Sequence, residues 1–340
     1  MLKDQIKERI LALRIPQRLK VLLRPWPRLR NLVNTWPKLI LLFISAFIFL
    51  YYPLGALIIE NIDKNTNYEF NKEGSQSSTV KAMTLLIRRE VYNKSWTPGL
   101  PFVFPAYILD NMPSFQLGLM SSVSTLSKAL ADRIVPFPKD KESHLRQASE
   151  LLQYPGTIWM FSPHNKLVPA PSSNSQYRRA RKQLQNYNRE LANGQSVFIT
   201  KPEDLSYILD TIQRDLAKSS KRLGTQIREH STDFYDNKAD DVFYFEQGKL
   251  YSYYLLIKAL GVDYKDIILE YNIYEPWTIL LNTLENATKL SPLVVRNGEL
   301  DSLMAPNHLA SLGYFNHKAI SVLQNIENAL NRPLPQGEKK

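Results

Sequence analysis

The stretch Leu39–Ile59, LILLFISAFIFLYYPLGALII, decides how this chain is built. It carries no charge, and as an α-helix it extends about 31 Å, against a bilayer hydrocarbon core of about 30 Å. Tyr51, Tyr52 and Pro53 interrupt the run but are tolerable in the outer half of a spanning helix. Leu39, Phe43, Phe47, Leu50 and Ile59 are accordingly assigned to a membrane anchor.

Upstream, residues 1–38 hold ten Lys or Arg against Asp4 and Glu8, so eight of the eleven net positive charges sit in this tail. Basic residues beside a span are retained in the cytoplasm. Beyond it, Glu60, Asp63, Glu69 and Glu73 outnumber Lys64 and Lys72. The expected topology is N-terminus inside, one span, and a large C-terminal domain outside. A cleaved signal sequence is the rival reading. It would need an unusually long basic segment, an apolar run beyond the usual roughly 7–15 residues, and a small-residue cleavage site that does not follow. Within the tail, Leu2, Ile6, Ile10 and Leu13 recur at helical spacing before Pro16, and Trp26 and Trp36 suit the headgroup level. The tail is expected to lie on anionic lipid.

The chain has no cysteine, which removes disulfides, thiol catalysis and thiolate-bound zinc. A disulfide-free domain of this size must be stabilised by its own core. Together with the anchor, this places the domain in a bacterial periplasm, single-pass in the inner membrane. The high pI belongs mainly to the tail, so it does not indicate nucleic-acid binding by the domain.

A polar linker at residues 60–78 is expected to separate the span from a domain at 79–332, with a polar tail at 333–340. The dominant period in the domain is helical. Leu119, Val123, Leu126 and Leu130 form one apolar stripe; Tyr177, Ala180, Leu184, Tyr187 and Leu191 another. Leu205, Ile208, Ile212 and Leu216 make a third, and Leu312, Ala319, Leu323, Ile326 and Leu330 a fourth. Pro202 and Glu203 after Thr200 signal the start of the third helix. The fold class is therefore mainly α: one N-terminal transmembrane helix and a helical-bundle extramembranous domain. Two Pro- and aromatic-rich irregular segments interrupt the bundle, residues 96–113 and 154–175, and residues 157–161 could form a short strand.

Chemistry-bearing motifs are sparse. The five histidines (His144, His164, His230, His308 and His317) form no i, i+4 pair and no HExxH, so no metal site or cofactor is expected. Ser172, Ser173 and Ser175 lie near His164, but without a GxSxG elbow they read as a loop ending in a helix cap. Glu142-Ser143 and Gly118-Leu119-Met120 stand in the reverse of the order used by helical lytic transglycosylases, which points to coincidence. Asp240-Asp241 suits the first turn of a helix through Phe243 to Leu260. The cluster Arg178, Arg179, Arg181 and Lys182 reads as a solvated helix face. The aromatic clusters Phe243-Tyr244-Phe245 and Tyr251-Ser252-Tyr253-Tyr254 read first as core and second as the wall of a groove.

Tyr-Pro-Leu-Gly at 52–55, Arg88-Arg89-Glu90 followed by Trp96, Leu109-Asp110-Asn111-Met112-Pro113, Tyr154-Pro155-Gly156 and the SSNSQYR run at 172–178 are distinctive. In these residues the chain resembles domain-of-unknown-function family 2333, single-span inner-membrane proteins of proteobacteria. The resemblance is expected to extend from about residue 38 onward. It implies topology and compartment, and no reaction, cofactor or catalytic residue.

The expected function is that of a membrane-anchored cell-envelope protein acting as a scaffold or accessory for an envelope protein partner, and not as an enzyme. A periplasmic lipid- or glycan-binding module is the alternative, and an envelope hydrolase the third reading. Trp96, Asp110, Asn111, Trp159, Ser173, Tyr177 and Arg178 are the candidate interaction surface, since exposed aromatic and Arg side chains in irregular segments suit a partner's face.

Overall fold

The computed structural model describes residues 36–134, 143–161, 168–230, 238–298 and 306–332. The basic tail with its expected interfacial helix, His164, Glu142 and the tail at 333–340 lie outside the described residues. The chain divides into two compact units, Met1–Gly55 and Ala56–Lys340.

Helix α1, Trp36–Ile59, contains Leu39–Ile59, a run long and apolar enough to cross a membrane. Its large side chains are exposed, Phe43 by 74% and Phe49 by 77%, so α1 is not the core helix of a soluble body. A span and a signal sequence are the two readings that fit such a helix at this end of a chain.

The second unit is built from α2 (Ser78–Arg88), α3 (Asn111–Ile134), α4 (His144–Leu152), α5 (Ser173–Ala192), α6 (Pro202–His230), α7 (Ala239–Asp263), α8 (Lys265–Glu270), α9 (Tyr274–Lys289) and α10 (His308–Leu330). Among the described residues there is no strand. The possible strand at 157–161 reduces to one bridge between Phe161 and Pro169, because the prolines on the returning segment lack the N–H groups a ladder requires.

Helix α7 is the axis of the body. Its residues 246–257 are buried without interruption, which a helix tolerates only when neighbours surround it, and α2, α3, α6, α9 and α10 all pack on it. The cluster Tyr251-Ser252-Tyr253-Tyr254 is core, with Tyr251 and Tyr253 fully buried, whereas in Phe243-Tyr244-Phe245 only Phe243 is buried and its two neighbours are half-buried. The four apolar stripes read from the sequence are the buried faces of α3, α5, α6 and α10. Asp240 and Asp241 occupy the first turn of α7, and Ser172 caps α5 by accepting the N–H of Ser175 at 3.2 Å.

The closest crossing is α3 on α7. A Cβ on Gly118 would fall 1.8 Å from the carbonyl oxygen of Phe245, and one on Gly248 would fall 2.2 Å from that of Phe115. One turn on, the Ser122 hydroxyl donates to the Lys249 carbonyl at 3.1 Å. Glycine and serine four residues apart thus let two backbones touch.

Residues 60–78 are polar, as expected, but they do not form a detached linker. Their polar groups serve as fasteners onto the body. Lys64 donates to the Leu290 carbonyl at 2.7 Å, and Tyr251 donates to the Asn65 carbonyl at 2.6 Å. Phe70 is buried in the core. At the entrance to α2, the Asp263 carboxylate accepts from the N–H groups of Ser78 and Thr79 at 2.7 and 2.9 Å, and from the Ser77 and Thr79 hydroxyls at 2.7 Å. An acidic side chain from the end of α7 so satisfies the free donors that begin α2.

Burial sets one pH response. Burial and nearby Asp210 push the Glu327 carboxyl on α10 up to about 7, against the pull of Arg214. The folded chain therefore binds more protons than the unfolded one between about pH 4.5 and 7, and stability falls as pH rises through that window. Glu327→Gln is expected to flatten this fall, so that Tm at about pH 8 comes closer to its value at about pH 5 than in the parent chain.

Candidate functional site

The two irregular segments, far apart in sequence, meet in space. The Trp96 indole N–H donates to the Gly156 carbonyl at 2.8 Å, and the Trp96 ring stands edge-on to Tyr177 at 5.0 Å. Gly99, at φ +75°, lies so close to Thr157 that a Cβ there would be 2.0 Å from its carbonyl oxygen. The Ser173 hydroxyl accepts the Ile158 N–H at 2.9 Å and lies 2.7 Å from the Pro155 carbonyl, stitching the second segment to the start of α5. Tyr177 donates to the Tyr154 carbonyl at 3.1 Å, and burial raises the pKa of its phenol.

Of the seven candidate surface residues, Trp96, Ser173 and Tyr177 are buried and hold the two irregular segments together as a frame. An aromatic ring at an irregular segment suits a partner's pocket and a neighbour's pocket equally well, and only packing separates the two. Asp110 is exposed and accepts the N–H of Asn111 at 2.8 Å at the head of α3. Asn111 and Trp159 are half-buried. Arg178 is exposed; it donates to Asn174 at 2.6 Å, and both Arg178 and Arg181 stack on the Tyr92 ring at 4.2 and 4.8 Å.

What the frame presents is apolar. Phe102, Val103, Tyr107 and Ile108 are each more than half exposed, and Phe104 packs edge-on against Trp159 at 5.9 Å. Next to Trp159, Met160, Phe161 and Val168 are also exposed, with Phe161 bridged to Pro169. Exposed apolar side chains of this kind suit contact with another molecule or with a membrane.

Behind this crest lies a buried polar network absent from the sequence reading. After α2 the chain makes a π-turn, Arg89–Asn93, which carries Arg89 and Glu90 into the interior. Arg89 donates from Nε to Glu90 at 2.6 Å and from Nη1 to the Tyr251 hydroxyl, and its Nη1 lies 4.0 Å from Asp63. Gln116 donates to Glu90 at 3.2 Å and to the Ser95 carbonyl at 3.0 Å, and accepts from Thr97 at 2.7 Å. Burial works against the Arg89 charge, but Glu90 and Tyr251 hold its pKa above the ordinary value. The network joins linker, π-turn, α3 and α7 into one block.

A second polar feature is a cleft of about 540 Å³ between α3 and α6, lined by Lys128, Asp132, Gln153, Tyr207, Arg214 and Lys218. Asp215 lies in it, 3.0 Å from the buried Lys249 ammonium and accepting from Tyr253 at 2.8 Å. A turn away Arg222 pairs with buried Glu246 at 2.9 Å. Asp215 Oδ2 faces Lys249 and Tyr253, and these pairs read as a charged seam holding α6 on α7. Among the described residues, no group of three or more metal-ligating side chains converges.

Neither a curated protein nor a solved structure matches the chain. Of the motifs that carried the family resemblance, those at 52–55, 88–90 and 96 fall outside the matched residues, and those at 109–113, 154–156 and 172–178 fall inside. Residues 101–239, which hold the crest, Ser173 and Tyr177 of its frame and helices α3 to α6, match the model of the family described as "Uncharacterized protein conserved in bacteria (DUF2333)".

Proposed function

We propose that this chain is a scaffold or accessory protein of a bacterial inner membrane, anchored by α1 with residues 1–38 in the cytoplasm, whose periplasmic helical body holds another envelope component close to the bilayer. The observation that carries this reading is the fastening of the anchor's exit to the body. Lys94 donates to the Asn61 carbonyl, Lys64 to Leu290, Tyr251 to Asn65, and Arg89 lies beside Asp63. A body needed only as a freely diffusing head would be served by a loose tether; here polar linker residues are committed one after another to fixing it. No reaction is assigned to it.

A lipid- or glycan-binding module is the second reading, favoured by a groove of about 490 Å³ between residues 70–72 and helices α7 to α9. Phe70, Ile268, Leu269, Trp277 and Leu281 give it apolar walls, and Lys258 and Lys265 lie at it.

Two measurements on the full-length chain test the proposal. Alkaline phosphatase fused after Lys340 is expected to be active in cells, since it folds only outside the cytoplasm; an inactive but intact fusion overturns the topology. Affinity purification in gentle detergent is expected to recover an envelope protein in stoichiometric amount. Recovery of a bound lipid or glycan alone moves the reading to the binding module.

A further inference from the structure

We propose that the crest at residues 102–108 is embedded in the outer-face interface of the bilayer, giving the body a second membrane contact beside α1. The proposal rests on α1 being a membrane anchor.

The crest's position carries the argument. Asn61 lies two residues beyond the end of α1, within about 7 Å of chain. Lys94, at one stem of the irregular segment, donates to the Asn61 carbonyl and, at 3.2 Å, to its side chain. Asp110, at the other stem, acts with Glu60 and Asp240 on the Tyr244 phenol, whose pKa is raised first by burial and then by these three carboxylates. The Lys94 stem of the segment therefore stands where the chain leaves the span.

Its composition fits the same site. Between Lys94 and Asp110 no residue is charged. Phe102, Val103, Tyr107 and Ile108 are 67, 51, 59 and 52% exposed. Aromatic and aliphatic side chains of this kind favour the headgroup and upper acyl region.

Irregular backbone is ordinarily excluded from lipid because its polar groups go unpaired. This segment meets part of that condition from within. Pro98, Pro101 and Pro105 have no N–H to satisfy. The N–H groups of Leu100, Phe104, Tyr107 and Leu109 donate to the carbonyls three residues back, at 3.0 to 3.3 Å. The acidic neighbours Glu60, Asp110 and Asp240 would repel anionic headgroups, so the contact is apolar in origin and salt does not weaken it.

The chain's lack of cysteine makes the test direct. Single cysteines are placed in the full-length protein at Phe47, Val103, Tyr107 and Tyr314, spin-labelled, and reconstituted into phosphatidylethanolamine/phosphatidylglycerol vesicles. Collision with oxygen, which concentrates in lipid, is compared with collision with a water-soluble nickel chelate. The expected oxygen-to-nickel ratio is highest at 47, several-fold higher at 103 and 107 than at 314 on α10, and not lowered by high salt. All four side chains are exposed, so the labels leave the packing intact. A deep 47 with 103 and 107 matching 314 overturns the crest contact and leaves the anchor standing. Labels at 103 and 107 shielded from both reagents assign the crest to protein contact instead, and also overturn it. A water-exposed 47 overturns the anchor, and the proposal with it.

Discussion

Gly248→Ala is expected to destabilise the helical body by about 3 kcal/mol or more, and Gly118→Ala to do the same. A solvent-facing helical glycine usually gains about 0.5–1 kcal/mol on becoming alanine, because the unfolded chain loses freedom. Here the added methyl group meets a backbone carbonyl of the partner helix at 2.2 Å for Gly248 and 1.8 Å for Gly118. A carbonyl inside a helix cannot rotate away as a side chain would, so α3 and α7 must move apart. That separation also loosens the Ser122–Lys249 bond and the stripe through Leu119 and Val123. Gly224 on α6 is the internal control, since the nearest atom to a Cβ there is Arg228 Nη1 at 3.7 Å. Gly224→Ala is expected to raise stability by about 0.5–1 kcal/mol. Urea midpoints followed by circular dichroism on the full chain in detergent compare the three. Equal shifts of the same sign for Gly248→Ala and Gly224→Ala would sink the backbone-contact account.

The sequence makes the helices legible because their signal is local and repeated. Leu119, Val123, Leu126 and Leu130 declare a buried face by spacing alone, and all four are buried. The axial role of α7 is concealed, because a helix surrounded on all sides has no polar face to set its period. Gly118 and Gly248 likewise look like weak points in helices until the partner carbonyl is seen. The two irregular segments are legible in the sequence, but proline and aromatic content marks a buried frame and an exposed face alike, so buried Trp96 and Tyr177 stand beside half-buried Trp159 among the candidates. Phe102, Val103, Tyr107 and Ile108, which the structure exposes, are not legible as surface, because apolar residues default to the core.

Arg89 and Glu90 were hidden for a different reason. Adjacent opposite charges near the end of a helix normally face water, and the π-turn that swings both inward has no signature in composition. Their burial leads to the second large effect. Glu90→Ala is expected to cost about 3–5 kcal/mol, because it leaves a buried guanidinium without its main counter-charge. Arg89 would retain only the Tyr251 hydroxyl and Asp63 at 4.0 Å, and Gln116 would lose one acceptor. Arg89→Met should cost a similar amount by leaving the Glu90 carboxylate buried, with Gln116 donating to it but without its guanidinium partner. Replacing both by methionine removes the charges together, so the double variant should be more stable than the sum of the singles predicts by about 2 kcal/mol or more. The location of the loss is as informative as its size. Arg89 and Tyr251 hold the linker at Asp63 and Asn65, so hydrogen exchange at residues 61–68 should accelerate in Glu90→Ala before the α6–α10 pair is affected. A cost below about 1 kcal/mol, or uniform loosening of the whole body, would mean that the network does not fasten residues 61–68 to the helical body.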